Sequence, residues 1–195
     1  MAKIGVLALQ GAVKEHIQQI ETLGHDAVAV KTCDDLRGVD GLILPGGEST
    51  TIGKMLERND MVEPIKTLAQ QGVPMFGTCA GLILLATKIK DSKTPHLGLM
   101  DVEVERNSFG RQVDSFEVPL SIPSIGDELT AVFIRAPHIV SVGERVEILA
   151  TYEERIVLAR EGQFLGCSFH PELTDDVRIL EFFIGMVNEF VKVSR

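Results

Sequence analysis

The chain has 195 residues, 45% apolar and 24% charged, with a formal net charge of −9. That length suits one domain with a full hydrophobic core, and the acidic balance argues against a nucleic-acid or anionic-membrane surface. No apolar run reaches the ~20 residues of a membrane span, and three cysteines without a CxxC spacing suggest reduced cytoplasmic thiols rather than a disulfide framework or a zinc site.

In chain order, residues 3–9 are a continuous apolar run, as expected of a buried parallel strand. The run is too short for a signal-peptide core and lacks a small-residue cleavage pattern. Gln10-Gly11 then turns into a helix with an apolar stripe of Val13, Ile17, Ile20 and Leu23, which leaves His16 on the polar side. Gly24 is placed to end it in a left-handed conformation. Residues 26–30 and 41–44 read as the second and third strands, and a helical pattern follows the third as far as Gln71. The fourth strand leads into Gly77. This alternation predicts a parallel sheet with helices on both faces and ligand-binding loops at the carboxyl ends of the strands.

Beyond it, short alternating runs at 102–105, 116–120, 130–134, 147–151, 155–160 and 163–169 read as antiparallel strands and hairpins extending the sheet. A closing helix is expected over about 174–193, with Val177, Leu180, Ile184, Val187 and Val191 on one stripe. The whole length forms one α/β unit, a three-layer sandwich around a mostly parallel sheet.

The stretch Val73-Pro74-Met75-Phe76-Gly77-Thr78-Cys79-Ala80-Gly81 carries the most chemical information. A strand stops at a glycine, puts one cysteine at the apex and opens into an apolar helix. This is the pattern of a nucleophile elbow, with cysteine in the place of serine. Glycines flank the apex because a Cβ there would clash with the crowded backbone. The helix N-terminus favours a thiolate, but by only about 0.3–1 kcal/mol, or ~2 in buried geometry. One pKa unit is about 1.4 kcal/mol, so a base must come from elsewhere.

Phe164-Leu165-Gly166-Cys167-Ser168-Phe169-His170-Pro171-Glu172 supplies one. An apolar strand ends in His-Pro-Glu, where the proline stops ladder pairing and fixes the relation of its neighbours. An imidazole that accepts a thiol proton needs a carboxylate on its other nitrogen, and Glu172 is within local reach. Cys79, His170 and Glu172 are the candidate triad. By itself His-Pro-Glu is an ordinary strand-end turn; the elbow cysteine is what reverses that reading.

Pro45-Gly46-Gly47-Glu48-Ser49 follows a buried strand and so falls at the same sheet edge. It is not a phosphate loop of the Walker type, since no Gly-Lys-Ser/Thr ends it. Next to a nucleophile, backbone donors suit a tetrahedral oxyanion, each typically worth about 2.7–4 kcal/mol. The N–H groups of Gly47 and Ala80 are the candidates.

Pro-Gly-Gly-Glu-Ser, Gly-Thr-Cys-Ala-Gly and His-Pro-Glu together resemble the class I, triad-type glutamine amidotransferases across nearly the whole chain. Residues 42–51, 104–117 and 132–139 narrow the resemblance to the glutaminase subunits of pyridoxal 5′-phosphate synthase, the PdxT family. The resemblance implies a flavodoxin-like fold and hydrolysis of L-glutamine to glutamate and ammonia. It implies delivery of ammonia to a separate synthase subunit of the PdxS family, within a large hetero-oligomer. Carried over by position, Cys79 is the nucleophile with His170 and Glu172 behind it. Gly47, Glu48, Ser49, Arg106, Ile134 and Arg135 contact glutamine. An arginine is the expected partner of the substrate carboxylate; the sequence does not decide between Arg106 and Arg135. Arg111 is either an exposed charge or a partner-facing one. No metal or organic cofactor is required. Activity is expected to be low until the synthase docks, by a turn of the Gly46-Gly47 peptide near Gln10.

Cys33 in a polar loop and Cys167 inside a strand read as structural, although Cys167 rivals Cys79 by its nearness to His170. His25 and His96 read as loop residues, and His138 as a residue near the site or an interface. Three other functions compete: a cysteine hydrolase of the PfpI kind, a γ-glutamyl peptide hydrolase, and a non-enzymatic binding module. Among glutaminases, imidazole glycerol phosphate and anthranilate partners are the alternatives. The His-Pro-Glu unit argues against the first, and the complete triad against the third.

Overall fold

The computed structural model describes residues 1–109 and 115–194. Arg111 and part of the 104–117 stretch therefore lie outside the described residues. The elements begin β1 (Lys3–Leu7), α1 (Val13–Thr22), β2 (Asp26–Val30), β3 (Gly41–Leu44), α2 (Ser49–Arg58) and α3 (Val62–Gln70). They continue with β4 (Met75–Thr78), α4 (Ala80–Leu85), β5 (Ala86–Ile89), β6 (Met100–Glu105), β7 (Ser115–Ile122) and β8 (Gly126–Ile134). The chain closes with β9 (His138–Val142), β10 (Glu147–Tyr152), β11 (Arg155–Glu161), β12 (Phe164–Cys167) and α5 (Arg178–Ser194).

One large sheet runs in the order β2-β1-β3-β4-β12-β11-β9-β6-β5, with β10 added on β11. From β2 to β12 every neighbour is parallel. Side chains alternate across it, as the pleat requires. Ile4, Val6, Ile43, Phe76 and Leu165 face α1 and α5, meeting Ile20, Phe183, Ile184 and Val187. Leu7, Leu42, Leu44 and Met75 face the other way, onto Ile52 and Leu56 of α2, Ile65 of α3 and Leu82 of α4. These are the helix-covered faces of the expected sandwich.

Several boundaries differ from expectation. Between β2 and β3 there is no α-helix, only a 3-10 turn over Asp34–Leu36, because the connection is too short for a helix to cross the sheet. The helical pattern to Gln71 is two helices, broken where Asp60 takes a positive φ of 54°. The closing helix starts at Arg178, after a 3-10 turn over Pro171–Leu173. The 116–120 and 130–134 runs do not extend the main sheet. They pair with each other as a separate two-stranded ribbon, β7–β8. Strands β5 and β9 have no counterpart among the expected elements.

The register of β3, β4 and β12 places the site. Gly77 of β4 is opposite Leu44 of β3 on one side and Gly166 of β12 on the other. Three parallel strands thus end together, at Leu44, Thr78 and Cys167, and release their following loops at one edge.

Candidate active site

Cys79 occupies the turn between β4 and α4 with φ 50° and ψ −103°, a conformation that costs energy in a residue with a Cβ. Contacts on both sides enforce it. A Cβ on Gly77 would overlap the backbone of Gly81, and one on Gly81 would overlap the carbonyl of Leu44. The strand, the turn and the first turn of a six-residue helix therefore touch backbone to backbone. The Cys79 N–H donates to the Cys167 carbonyl at 2.8 Å, anchoring the elbow to β12. The Cys79 Sγ lies 4.0 Å from the Ile134 carbonyl oxygen.

His170 follows β12, and its N–H donates to the Val132 carbonyl of β8 at 2.8 Å. Its ring Nδ1 is 2.7 Å from Oε1 of Glu172, which leaves Nε2 for the cysteine. A Cβ on Gly46 would overlap the His170 ring and come within 3.5 Å of the Cys79 Cβ, so this glycine packs into the angle between the two side chains. Burial pulls the His170 imidazole toward neutrality. Hydrogen bonds to Cys79 and Glu172, and their charges, outweigh burial and raise its pKa to about 10. Burial would likewise raise the Glu172 carboxyl, but the His170 hydrogen bond and the charges of His16 and His170 hold it below its ordinary value.

A cavity of about 440 Å³ opens over the cysteine. Gly47, Glu48, Ser49, Ala80, Arg106, Ile134 and Arg135 all line it, together with Cys79 and His170. Glu172 lies behind His170, 5% exposed. The Glu48 carboxylate is turned to the N-terminus of α2, accepting from the N–H groups of Thr50 at 3.1 Å and Thr51 at 2.7 Å. That is an N-cap; the Thr51 hydroxyl also donates to the carboxylate at 2.6 Å, and this bond, with the smaller help of the Thr51 and Thr50 N–H groups, lowers the Glu48 pKa against burial. Arg106 donates to the Thr50 hydroxyl at 3.0 Å. Arg135 stands in the cavity wall on a left-handed backbone, φ 42°. The Gln10 side chain crosses the glycine loop and accepts from the Glu48 N–H at 2.8 Å.

Cys167 is fully buried, its Sγ 3.2 Å from the Phe169 carbonyl. Burial, with Glu172 and Cys79 nearby, pushes its thiol well up, which makes it a poor nucleophile. Cys33 is half-buried at the start of a 3-10 turn, away from the cavity. His138, in β9, is half-buried and packs its ring edge against Phe109.

His16 is where sequence reasoning errs. It is not on a solvent face: the residue is 1% exposed. Its Nε2 sits 3.2 Å from the Thr78 hydroxyl and 3.6 Å from Oε2 of Glu172. Gln19, one turn on, is also buried and donates to the carbonyls of Pro171 at 3.0 Å and Thr174 at 2.8 Å. Periodicity assigns polar residues outward, yet these two find polar partners in the turn that carries Glu172. Spacing gives a weak signal for His16 alone, since Val13, His16, Ile20 and Leu23 also make one helical stripe, and it gives none for Gln19.

Residues 6–189 match the model of the SNO glutamine amidotransferase family. A protein of Geobacillus thermodenitrificans (strain NG80-2), named pyridoxal 5'-phosphate synthase subunit PdxT, is 62% identical over 98% of each chain. One of Bacillus pumilus with the same name is 55% identical over 97% of each chain. A crystal structure of glutamine amidotransferase superposes with a TM-score of 0.91 at 44% identity, covering 95% of this chain and 98% of that one. The mostly parallel sheet and the loops at its carboxyl edge are those of the class I glutamine amidotransferases. Within that class, the chain belongs to the SNO glutamine amidotransferase family.

Proposed function

We propose that this chain, as one glutaminase domain, hydrolyses L-glutamine to L-glutamate and ammonia and delivers the ammonia to a pyridoxal 5′-phosphate synthase subunit. The relatives' shared name supports the assembly, and a PdxS-type partner in a hetero-oligomer is the natural acceptor. The observation that carries the chemistry is the short contact between His170 Nδ1 and Glu172 Oε1, 2.7 Å, behind an elbow cysteine.

Cys79 Sγ attacks the side-chain amide carbon of glutamine. The tetrahedral oxyanion is met by the N–H of Ala80, among the first of α4 and so without an intrahelical partner, and by that of Gly47. The Gly46 carbonyl accepts from the Ala12 N–H at 3.1 Å. In a trans peptide the Gly47 N–H then points to the opposite side, away from α1. The intermediate collapses by breaking the C–N bond, and the His170 imidazolium gives its proton to the leaving ammonia. His170 next takes a proton from water, whose oxygen attacks the γ-glutamyl thioester and releases glutamate and the thiol. Arg106 and Arg135 provide positive charge for the α-carboxylate at the cavity wall.

Among the described residues no helix is long and apolar enough to cross a membrane. All three cysteines are free thiols, which suits the cytoplasmic site of action that goes with this reading. The test is glutamate release measured with and without the synthase subunit. Activity that appears or rises on adding the synthase supports the reading. A complex that binds the synthase yet releases no glutamate overturns it.

A further inference from the structure

The carboxylate of Glu172 has two oxygens, and the proposed reaction uses one. Oε1 faces His170 at 2.7 Å. Oε2 is buried and has no hydrogen-bond partner among the described residues; its neighbour is the Nε2 of His16, at 3.6 Å. That same nitrogen is 3.2 Å from the hydroxyl of Thr78, the residue just before the nucleophile. A carboxylate only accepts hydrogen bonds, so a bare nitrogen lone pair facing it would be repelled. Nε2 must therefore carry the proton.

We propose that His16 is a positioning residue for the acid of the triad: its Nε2–H, shared between Oε2 of Glu172 and the Thr78 hydroxyl, fixes the orientation in which Oε1 meets His170. The inference rests on the triad reading given above. Helix α1 supports the same turn a second time through Gln19, which holds the Pro171 and Thr174 carbonyls. Its leading end also meets the glycine loop, with the Ala12 N–H on the Gly46 carbonyl. One helix thus braces both the acid and the proposed oxyanion loop. The ionisable groups facing the network are His16 and Glu15 from α1, Cys79 from the elbow, Cys167 from β12, and His170 and Glu172. Burial lowers the His16 pKa against the pull of Glu172, consistent with a neutral donor.

Two measurements test this. In the wild-type protein with ¹⁵N-labelled histidine, long-range ¹H–¹⁵N correlation should find His16 neutral and protonated on Nε2 at pH 7. A charged ring, or a proton on Nδ1, overturns the proposal whatever the enzyme does. The second is glutamate release in the complex with the synthase subunit. His16→Leu, which keeps the apolar bulk, should lower kcat by about tenfold or more, the scale of a lost hydrogen bond to a charged group, with little change in KM. The alkaline limb of its kcat/KM profile should move to lower pH, since a loosened Glu172 supports the imidazolium less. His16→Gln, which returns an N–H donor near the same place, should recover most of the loss. A folded His16→Leu with unchanged kcat and limb overturns the proposal, as does a loss that His16→Gln leaves unrecovered with no shift of the limb. Should His16→Leu fail to fold, His16→Gln and the wild-type spectrum decide. An inactive wild-type complex would count against the glutaminase reading, while the spectrum still judges His16.

Discussion

His170 and Glu172 stand two residues apart in the chain with Nδ1 and Oε1 at 2.7 Å, both nearly buried. The proline between them opens the 3-10 turn over Pro171–Leu173, so the contact is made within one short turn of chain. A charged acceptor on Nδ1 fixes which nitrogen faces the cysteine. Glu172→Gln keeps the shape and loses both the charge and the obligatory acceptor. It should lower kcat by about two to four orders of magnitude, as losing the acid does in other triads, with a small effect on KM. Steady-state glutamate release in the synthase complex measures it.

The elbow's glycines should be sensitive to a single methyl. At Gly81 a Cβ overlaps the main-chain carbonyl of Leu44, and neither β3 nor α4 can move without the other. Gly81→Ala should cost about 1–3 kcal/mol or more. Gly185 in α5 has nothing within 4 Å of the same position, so Gly185→Ala should be neutral or stabilise by up to about 1 kcal/mol. Urea midpoints of the two variants make the comparison.

Gln19→Leu should show how much the acid-bearing turn depends on α1. It removes a donor from the Thr174 carbonyl and one of three from that of Pro171, which keeps the Thr174 N–H and hydroxyl, and a lost hydrogen bond of this kind costs about 0.5–1.5 kcal/mol. Both stability and kcat should fall, and chemical denaturation beside the activity assay separates the two.

Stability should peak near pH 6.5. The folded pKa of His170 is raised to about 10, so its contribution is complete below the ordinary imidazole value of 6.5 and is lost as pH climbs toward 10. His16 is shifted downward by burial. Below pH 6.5 the unfolded chain takes that proton first, and stability falls with pH. Glu172, held below its ordinary 4.5, contributes above that value and is lost further into acid. Each group gives a slope of at most about 1.4 kcal/mol per pH unit. Urea midpoints against pH should lose the alkaline decline in His170→Asn, and the decline just below 6.5 in His16→Gln.

Much of the fold is legible in the sequence. Strands over Asp26–Val30 and Gly41–Leu44 match to the residue, because continuous apolar runs bounded by turn residues leave little choice. Strand β5 is hidden because Ala86–Ile89 follows α4 with no turn residue between them and has only Ala86 and Ile89 as apolar positions, too few to show a period. Strand β9 is hidden because it begins inside Ala136-Pro137-His138, where a proline signals a turn. The β7–β8 ribbon reads as strands but not with its true partner, since alternation specifies a face and not a neighbour. At the site, the elbow and His-Pro-Glu are visible because glycine, cysteine, histidine and proline each carry a local constraint. His16 and Gln19 are not, because their polar partners are distant in the chain: Thr78 is 62 residues from His16, and the Pro171 and Thr174 carbonyls are 152 and 155 residues from Gln19.

Covalent trapping shows directly which sulfur attacks glutamine. The complex with the synthase subunit is treated with a chloroketone analogue of glutamine, and the modified residue is located by peptide mass spectrometry. One adduct is expected, on Cys79, prevented by excess glutamine and absent from Cys79→Ala. An adduct on Cys167, or one that survives Cys79→Ala, would contradict that expectation.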